Sequence, residues 1–365
     1  MYFTFFTPKY KEHHVSFEDI LLNPYMKMPE RTQSFYKRTE IVSDDYAARY
    51  YEKHFPQVIP DINTEIKDTS KHYKHYSIPK KSDPTKKRPI DAPDNILKNA
   101  QYGVKYYIED YLKALPHNAA HAYVKERSVV TAMEEHQKNN SNWYLQIDLK
   151  NFFNSIDEDF MRNQLLQVYP FPLINEAILD YIIKLSLLKG HMPQGSILSP
   201  TLSNLIMVPF DYMFVERLKK YKKDIVYTRY ADDITISSRD KFNPEIVIYM
   251  LKSYLKNTPL RINDEKTRYG NTSGRNYHLG IILNNKGKDK TPQMSVGYEK
   301  NKKFRAMLFN FCTYGDNWEL HDVQKMLGQI SYLKSIEKPF VERTIAKYNE
   351  KFNMDIMARA KMMLK

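Results

Sequence analysis

Two adjacent carboxylates, Asp232 and Asp233, sit in the stretch YTRYADDITISS at 227–238. Strand-forming residues flank them, with Ile225, Val226, Tyr227, Thr228 and Tyr230 before and Ile234, Thr235 and Ile236 after. Such runs favour extended chain, so the stretch predicts a hairpin with the acids at its tip. Carboxylates this close repel each other unless a cation neutralises them. A hard divalent ion such as Mg²⁺ takes that kind of oxygen site. An Asp-Asp pair between strands is also an ordinary solvated turn, because Asp suits turns. A third acid bears on the choice. Asp148 lies among Tyr144, Leu145, Ile147 and Leu149, an apolar strand in which an unpaired charge is costly. Carboxylates converging from two separate elements suit a pair of divalent ions and in-line transfer of a phosphoryl group.

That chemistry also needs cations for the phosphates. Residues 71–95 read KHYKHYSIPKKSDPTKKRPIDAPDN and predict a hairpin crowded with Lys. Lys80, Lys87 and Arg88 are placed to reach one ligand from its two arms. A solvated loop is the plainer reading, since Lys belongs on the surface. Just beyond Asp148, Phe152 and Phe153 are expected to face whatever Asp148 binds.

The remaining elements are mostly helices. Apolar spacing predicts them over about 95–115, 129–138, 157–168 and 174–188. Gly190, Pro193 and Gly195 in KGHMPQGSILSPTLSN mark a turn before a helix that starts near Pro200 and is kinked at Pro209. A helix follows over 240–255, then a strand pair ending in YHLGIILN. From Thr291 onward the pattern is helical, over about 299–314, 320–335 and 339–363. Residues 1–70 are polar, aromatic and charged, without long apolar runs, and read as an extension wrapping the body.

With 56 Lys+Arg against 43 Asp+Glu, the net charge of +13 favours polyanionic partners, nucleic acid or an anionic surface. The 29 Tyr and 18 Phe could stack bases along a basic groove, although most aromatics belong to cores. One cysteine, Cys312, excludes an intramolecular disulfide and a thiolate metal cluster. No stretch reaches the roughly 18–20 apolar residues of a membrane span. No signal peptide is legible at the N-terminus. The expectation is a cytoplasmic protein without a membrane partner.

Taken together, these motifs resemble the bacterial reverse transcriptases, closest to the retron and defence-associated (abortive-infection) types. The resemblance rests on YADD at 230–233, QGSILSPTLSN at 194–204, LQIDLKNFFNSI at 145–156 and KKRPIDAP at 86–93. It extends to HAYVKERSVVTA at 121–132, INDEKTR at 262–268, HLGIILN at 278–284 and LGQISYLKSI at 327–336. These boxes occur in the family's order over about 75–360.

The resemblance implies an α+β right-hand polymerase fold, with fingers, a palm of antiparallel sheet plus helices, and a small helical thumb. The expected boundaries are 1–70 for the N-terminal extension, 71–145 for the fingers with part of 157–195, 146–290 for the palm and 291–365 for the thumb. It implies two-metal nucleotidyl transfer, with Asp148, Asp232, Asp233 and the Leu149 backbone carbonyl holding two Mg²⁺ ions, or Mn²⁺. Phe153 would lie under the sugar and favour dNTPs. Gln194 and Gly195 would line the nucleotide and template, Arg88 with Lys80 or Lys87 would contact the triphosphate, and Lys266 would sit on the primer side. Tyr230 would pack by the primer end or serve as hairpin core.

The implied partners are an RNA template, a structured non-coding RNA in particular, dNTPs and a DNA product, with a homo-oligomer or effector protein possible. His278, Leu279 and Gly280 stand where retron enzymes usually carry Val-Thr-Gly, a departure that argues against an ordinary retron enzyme and for a stand-alone one with an antiphage role. Two alternatives are template-independent or protein-primed DNA synthesis, and a non-catalytic RNA-binding assembly protein.

Overall fold

The computed structural model describes residues 66, 68–80, 83–272, 277–284 and 293–364. The expected N-terminal extension lies almost wholly outside the described residues, and so does the side chain of Lys80. Among the described residues, no helix is long and apolar enough to cross a membrane.

The fold is α+β. Strands β1 (Tyr73–Lys80) and β2 (Asp83–Pro93) form the basic hairpin, antiparallel with Ile78 opposite Arg88 and Pro79 opposite Lys87. Helix α1 (Asn95–Tyr106) follows, its N-terminus capped by the Asp94 carboxylate on Leu97 N–H at 3.0 Å. It runs on as a wider π-type turn over Tyr107–Tyr111. Helix α2 (Val129–Lys138) begins where the sequence predicts, because Ser128 and Thr131 cap each other reciprocally.

A four-stranded sheet has the order β4 (Val226–Tyr230), β5 (Asp233–Ser238), β3 (Trp143–Asp148), β6 (Arg268–Asn271). Asp148 ends an inner strand instead of lying within it. Between β3 and β4 come the short turn α3 (Phe152–Ser155), α4 (Glu158–Leu165), α5 (Glu176–Ser186), α6 (Ser199–Ile206) and α7 (Val208–Tyr221). The predicted kink at Pro209 is a break at Met207, with Pro209 in the first turn of α7. Proline fits there because no hydrogen-bond donor is needed in a first turn. Helix α8 starts at Pro244, not Asp240, because Asn243 caps it (Pro244–Leu255).

The chain forms two compact units. The first holds the described residues to Arg127, with Ile147–Ile234 and Asn243–Thr267. Its core includes Ile108, Phe152, Ile182, Leu202, Phe214 and Val247, all nearly fully buried. Phe152 therefore belongs to the core and does not face a ligand of Asp148.

The second unit holds Ser128–Gln146, Thr235–Phe242 and the residues from Arg268 on. Its three-stranded sheet is β7 (Tyr277–His278), β8 (Ile281–Asn284) and β9 (Gln293–Ser295). Strand β9 corrects the purely helical reading of the chain after Thr291. Leu279 and Gly280, at φ 53° and 82°, turn β7 into β8, so the box that departs from Val-Thr-Gly is a two-residue hairpin turn. His278 is buried against Tyr144, ring centroids 4.3 Å apart, and burial lowers its imidazole to about 3.

Helices α9 (Tyr298–Tyr314), α10 (Leu320–Phe352) and α11 (Ile356–Met363) follow. Phe304, Leu308, Phe311, Val323, Met326 and Ile330 build one apolar cluster between them. The kink in α10 falls between the two expected helices 320–335 and 339–363, and α11 is a further helix within the span of the second. Glu337 leaves helical geometry at φ −128°, ψ 52°, two residues before Pro339, and the true stop is Asn353 at φ 47°. Proline removes one intrahelical donor, which bends a helix without necessarily ending it.

The Glu337 carboxylate accepts from Val296 N–H at 2.9 Å and from the Asn301 amide at 3.2 Å, so the kink also ties β9 to α9. Glu337→Ala should lower unfolding free energy by about 1–3 kcal/mol, the usual cost of stranding donors. Urea denaturation followed by circular dichroism measures it, and an unchanged midpoint would discount the tie.

Candidate active site

The acidic turn is built from beneath. Helix α7 buries Phe210, Phe214 and Leu218 along one face, and Asp211 lies on that same face, fully buried. A carboxylate there needs a cation. Arg229 of β4, equally buried, supplies it as a two-pronged pair: Nε reaches Oδ1 at 3.0 Å and Nη2 reaches Oδ2 at 2.7 Å. Tyr227 donates its hydroxyl to Asp211 at 2.6 Å, and burial with the Asp211 charge holds that phenol well above its usual range. The remaining Arg229 prong, Nη1, reaches Asn204 Oδ1 at 3.1 Å and the Ala231 carbonyl at 3.3 Å.

Ala231 takes a left-handed φ of 58° and immediately precedes Asp232. Such a conformation is unfavourable for alanine, and a donor on its carbonyl helps hold it. The buried arginine thus shapes the turn that carries the acids. None of Arg229, Asp211 and Asn204 was assigned a role from the sequence. The available signal was an Arg and an Asp each set among apolar residues of an element with one buried face.

Strand β3 meets the turn directly. Leu149 N–H donates to the Asp232 carbonyl at 3.0 Å. On the other side, Lys150 N–H donates to Arg261 O and Asn263 N–H donates to Asp148 O, both at 2.8 Å. In extended chain a residue's N–H and C=O point the same way, so the Leu149 carbonyl is directed toward the Asp232 side. Asp148, 9% exposed, accepts from Asn263 Nδ2 at 2.9 Å and from Lys266 Nζ at 2.9 Å. Lys266 is mostly exposed, so this ion pair adds little stability.

The three acids feel one another. Burial raises the Asp232 carboxyl, its own backbone N–H lowers it, and Asp148 raises it further, with Lys266 and Arg88 opposing. Asp233 rises to about 7, through loss of hydration and then the charges of Asp232 and Asp148, although its side chain keeps an exposed edge. Among the described residues, no three His, Cys, Asp or Glu side chains stand close enough to hold a metal ion. The carboxylates repel one another, and Asp148 is turned onto Asn263 and Lys266. The donor set nevertheless fits a hard divalent cation: oxygen ligands only, with excess negative charge and one carboxylate still open to solvent.

Across from the acids, Asp91 N–H donates to the Gln194 carbonyl at 2.7 Å, docking β2 on the Gln194–Gly195 turn. Gly195 has φ 122°, and a Cβ there would lie 2.7 Å from Asp91 O and 3.0 Å from Ile90 Cγ2. Beneath it, the buried Gln101 donates to the Tyr73 hydroxyl at 3.0 Å and to Leu185 O at 2.8 Å, and accepts from Ile197 N–H at 3.2 Å. Alternation along β2 sets Arg88 on the face of Ile90, toward this turn, and Lys87 on the other face. Lys87 and Arg88, both expected at the triphosphate, thus leave β2 on opposite faces. Phe153 is half-buried, its ring 6.5 Å from that of Tyr123. Tyr230 is half-buried at the end of β4.

Residues 78–296 match the family described as "Reverse transcriptase (RNA-dependent DNA polymerase)". The chain belongs to this family, and its α+β architecture is that of a right-hand polymerase. It is 28% identical over 295 residues to the Retron Ec86 reverse transcriptase of Escherichia coli, covering 79% of this chain and 85% of that protein. It is also 28% identical to the Retron Ec83 reverse transcriptase of the same organism, covering 80% of this chain and 92% of that protein. The Retron Mx162 reverse transcriptase of Myxococcus xanthus is 28% identical, covering 73% of this chain and 58% of that protein. The chain is an RNA-directed DNA polymerase of retron type.

Arg229→Met strands Asp211 and should cost about 3–5 kcal/mol of stability, whereas Arg229→Met with Asp211→Leu should recover most of it. Equilibrium unfolding in urea distinguishes the two variants. DNA synthesis should stay low in the double variant, because the Ala231 carbonyl has lost its donor in both.

Proposed function

We propose that the acidic turn is a two-cation nucleotidyl-transfer site that extends a DNA strand from dNTPs on an RNA template. The observation that carries this reading is the convergence of Asp148 and Asp232 across the Leu149 N–Asp232 O bond, with Asp233 beside them in a common electrostatic field. Asp148 and Asp232 would hold both ions, Asp233 would complete the negative site and the Leu149 carbonyl would add a neutral oxygen. When bound, divalent ions acidify the primer 3′-hydroxyl and steady the charge on the transferring phosphoryl group. Mg²⁺ is the natural occupant, and Mn²⁺ takes the same ligands.

Arg88 holds the triphosphate, since its charge already reaches Asp232. Phe153 packs under the sugar and leaves no space for a ribose 2′-hydroxyl. Gln194 and Gly195 line the new base pair, where only a residue without Cβ lets β2 dock so closely. Lys266, now paired with Asp148, would turn to the primer phosphates once Asp148 held a cation. In this reading the β1–β2 hairpin with α1 and part of 157–195 acts as fingers, 146–290 as palm and 291–365 as thumb. The template is a structured non-coding RNA and the setting is retron-like antiphage defence.

Asp232→Asn should abolish incorporation of labelled dNTPs while RNA binding, read by filter retention, stays within twofold. Unchanged synthesis would remove Asp232 from the site.

Proton competition gives the second test. A carboxyl at about 7 is mostly protonated at pH 6 and mostly charged at pH 8. Its folded value lies above the unfolded 3.8, so without metal this group favours the folded state as pH falls from 8 toward 4. Cation binding needs the charged form and runs the opposite way. Calorimetric Mg²⁺ titration should show affinity weaker at pH 6 than at pH 8, by up to roughly tenfold for one unit of protonation. Asp233→Asn should flatten that dependence.

A further inference from the structure

The box HAYVKERSVVTA contains a residue that the proposed mechanism leaves without a part. Tyr123 takes a left-handed φ of 58° and is 52% exposed. A bulky side chain in that region is strained, and a simple turn would take Gly or Asn. A core role would bury the ring.

The neighbouring backbone is nevertheless tightly held. His121 N–H donates to Arg229 O at 2.8 Å, and the fully buried Ala122 accepts from Asn204 Nδ2 at 2.6 Å. Asn204 is the same side chain that receives Arg229 Nη1. One buried network therefore fixes both the turn before Asp232 and the strained residue Tyr123. Strain retained by so much support marks a residue kept for what it touches.

Three residues of the proposed site bear on Tyr123, Phe153 by ring proximity and Asp232 and Arg88 by charge. Its ring lies 6.5 Å from Phe153, tilted by 52°. Loss of hydration raises the phenol most, the Asp232 charge raises it further and the Arg88 charge opposes, so both charges reach Tyr123. The sugar gate, the triphosphate cation and a metal-binding acid of the proposed site thus bear on one exposed aromatic ring.

We propose that Tyr123 contacts the incoming nucleotide, its ring forming with Phe153 the wall against the deoxyribose and so helping to select dNTPs over rNTPs. This rests on the polymerase reading of the site. An aromatic face beside the sugar adds contact area and leaves less room for a 2′-hydroxyl.

The test uses the full chain with poly(rA)·oligo(dT) and Mg²⁺, and the variants Y123F, Y123A and Y123G. Steady-state kinetics with dTTP and with UTP give kcat, KM and the preference between them. A dideoxy-terminated primer blocks chemistry, so titrating dTTP onto that complex gives Kd without turnover.

Y123A and Y123G should raise the dTTP KM and Kd at least fivefold, lower the dTTP preference at least fivefold and change kcat less than threefold. Y123F, which keeps the ring, should stay within twofold of the parent. Glycine relieves the left-handed strain, so Y123G should melt at or above the parent temperature. Parent values of Kd and preference in Y123A and Y123G would overturn the inference. A Kd loss accompanied by lower melting temperatures in both would also overturn it, assigning Tyr123 to the fold. An inactive parent that also fails to bind dTTP would overturn the polymerase reading and this inference together.

Discussion

The buried pair between Arg229 and Asp211 is the constraint on which the active site depends. Neither charge can be left alone in the interior, so α7 and β4 are locked in one register. The third prong of the arginine extends that lock to Asn204 and the Ala231 carbonyl, and Asn204 extends it to Ala122. A pair of this kind adds little net stability over well-packed apolar residues, because desolvation offsets much of the attraction. Its value here is geometric. A hydrophobic contact is non-directional and would tolerate a small rotation of the turn, whereas five directed bonds to one guanidinium do not.

Above this lock Asp232 and Asp233 are coupled to each other and to Asp148 by charge. Asp148 is quieted by Asn263 and Lys266, while Asp232 and Asp233 are pushed toward the protonated form. That tension suits a site which must gain positive charge along with its triphosphate. Lys266 suits it too, as an exposed cation that holds Asp148 weakly and can be displaced. Membership of the reverse transcriptase family and this electrostatic arrangement both support the proposed site.

Much of the site was readable from the chain because its parts are local. The hairpin around Asp232 needs only two runs of β-favouring residues and a turn between them. The Gln194–Gly195 turn is written in its glycines and prolines, and the Ser128 cap of α2 in its own four residues. Errors fell where distant partners decide. Phe152 reads like Phe153 on paper, yet one enters the core and the other stays half-buried. Lys87 and Arg88 both read as phosphate ligands, yet strand alternation separates their faces. Pro209 was read as a kink inside one helix, yet the chain breaks at Met207 and Pro209 falls in the first turn of α7.

By itself the sequence determined the family, through motifs that occur in its order, and singled out the acids, cations and aromatic residue on which the proposed chemistry rests. These follow from residue type and short spacing, which survive in one dimension. Only the tertiary structure decided what holds the acids in place. Arg229 meets Asp211 and Asn204, and Tyr123 meets Phe153, through the packing of a strand, two helices and a connecting segment. Buried polar groups choose partners by three-dimensional proximity and unmet hydrogen bonds, and no local pattern in the chain encodes that choice.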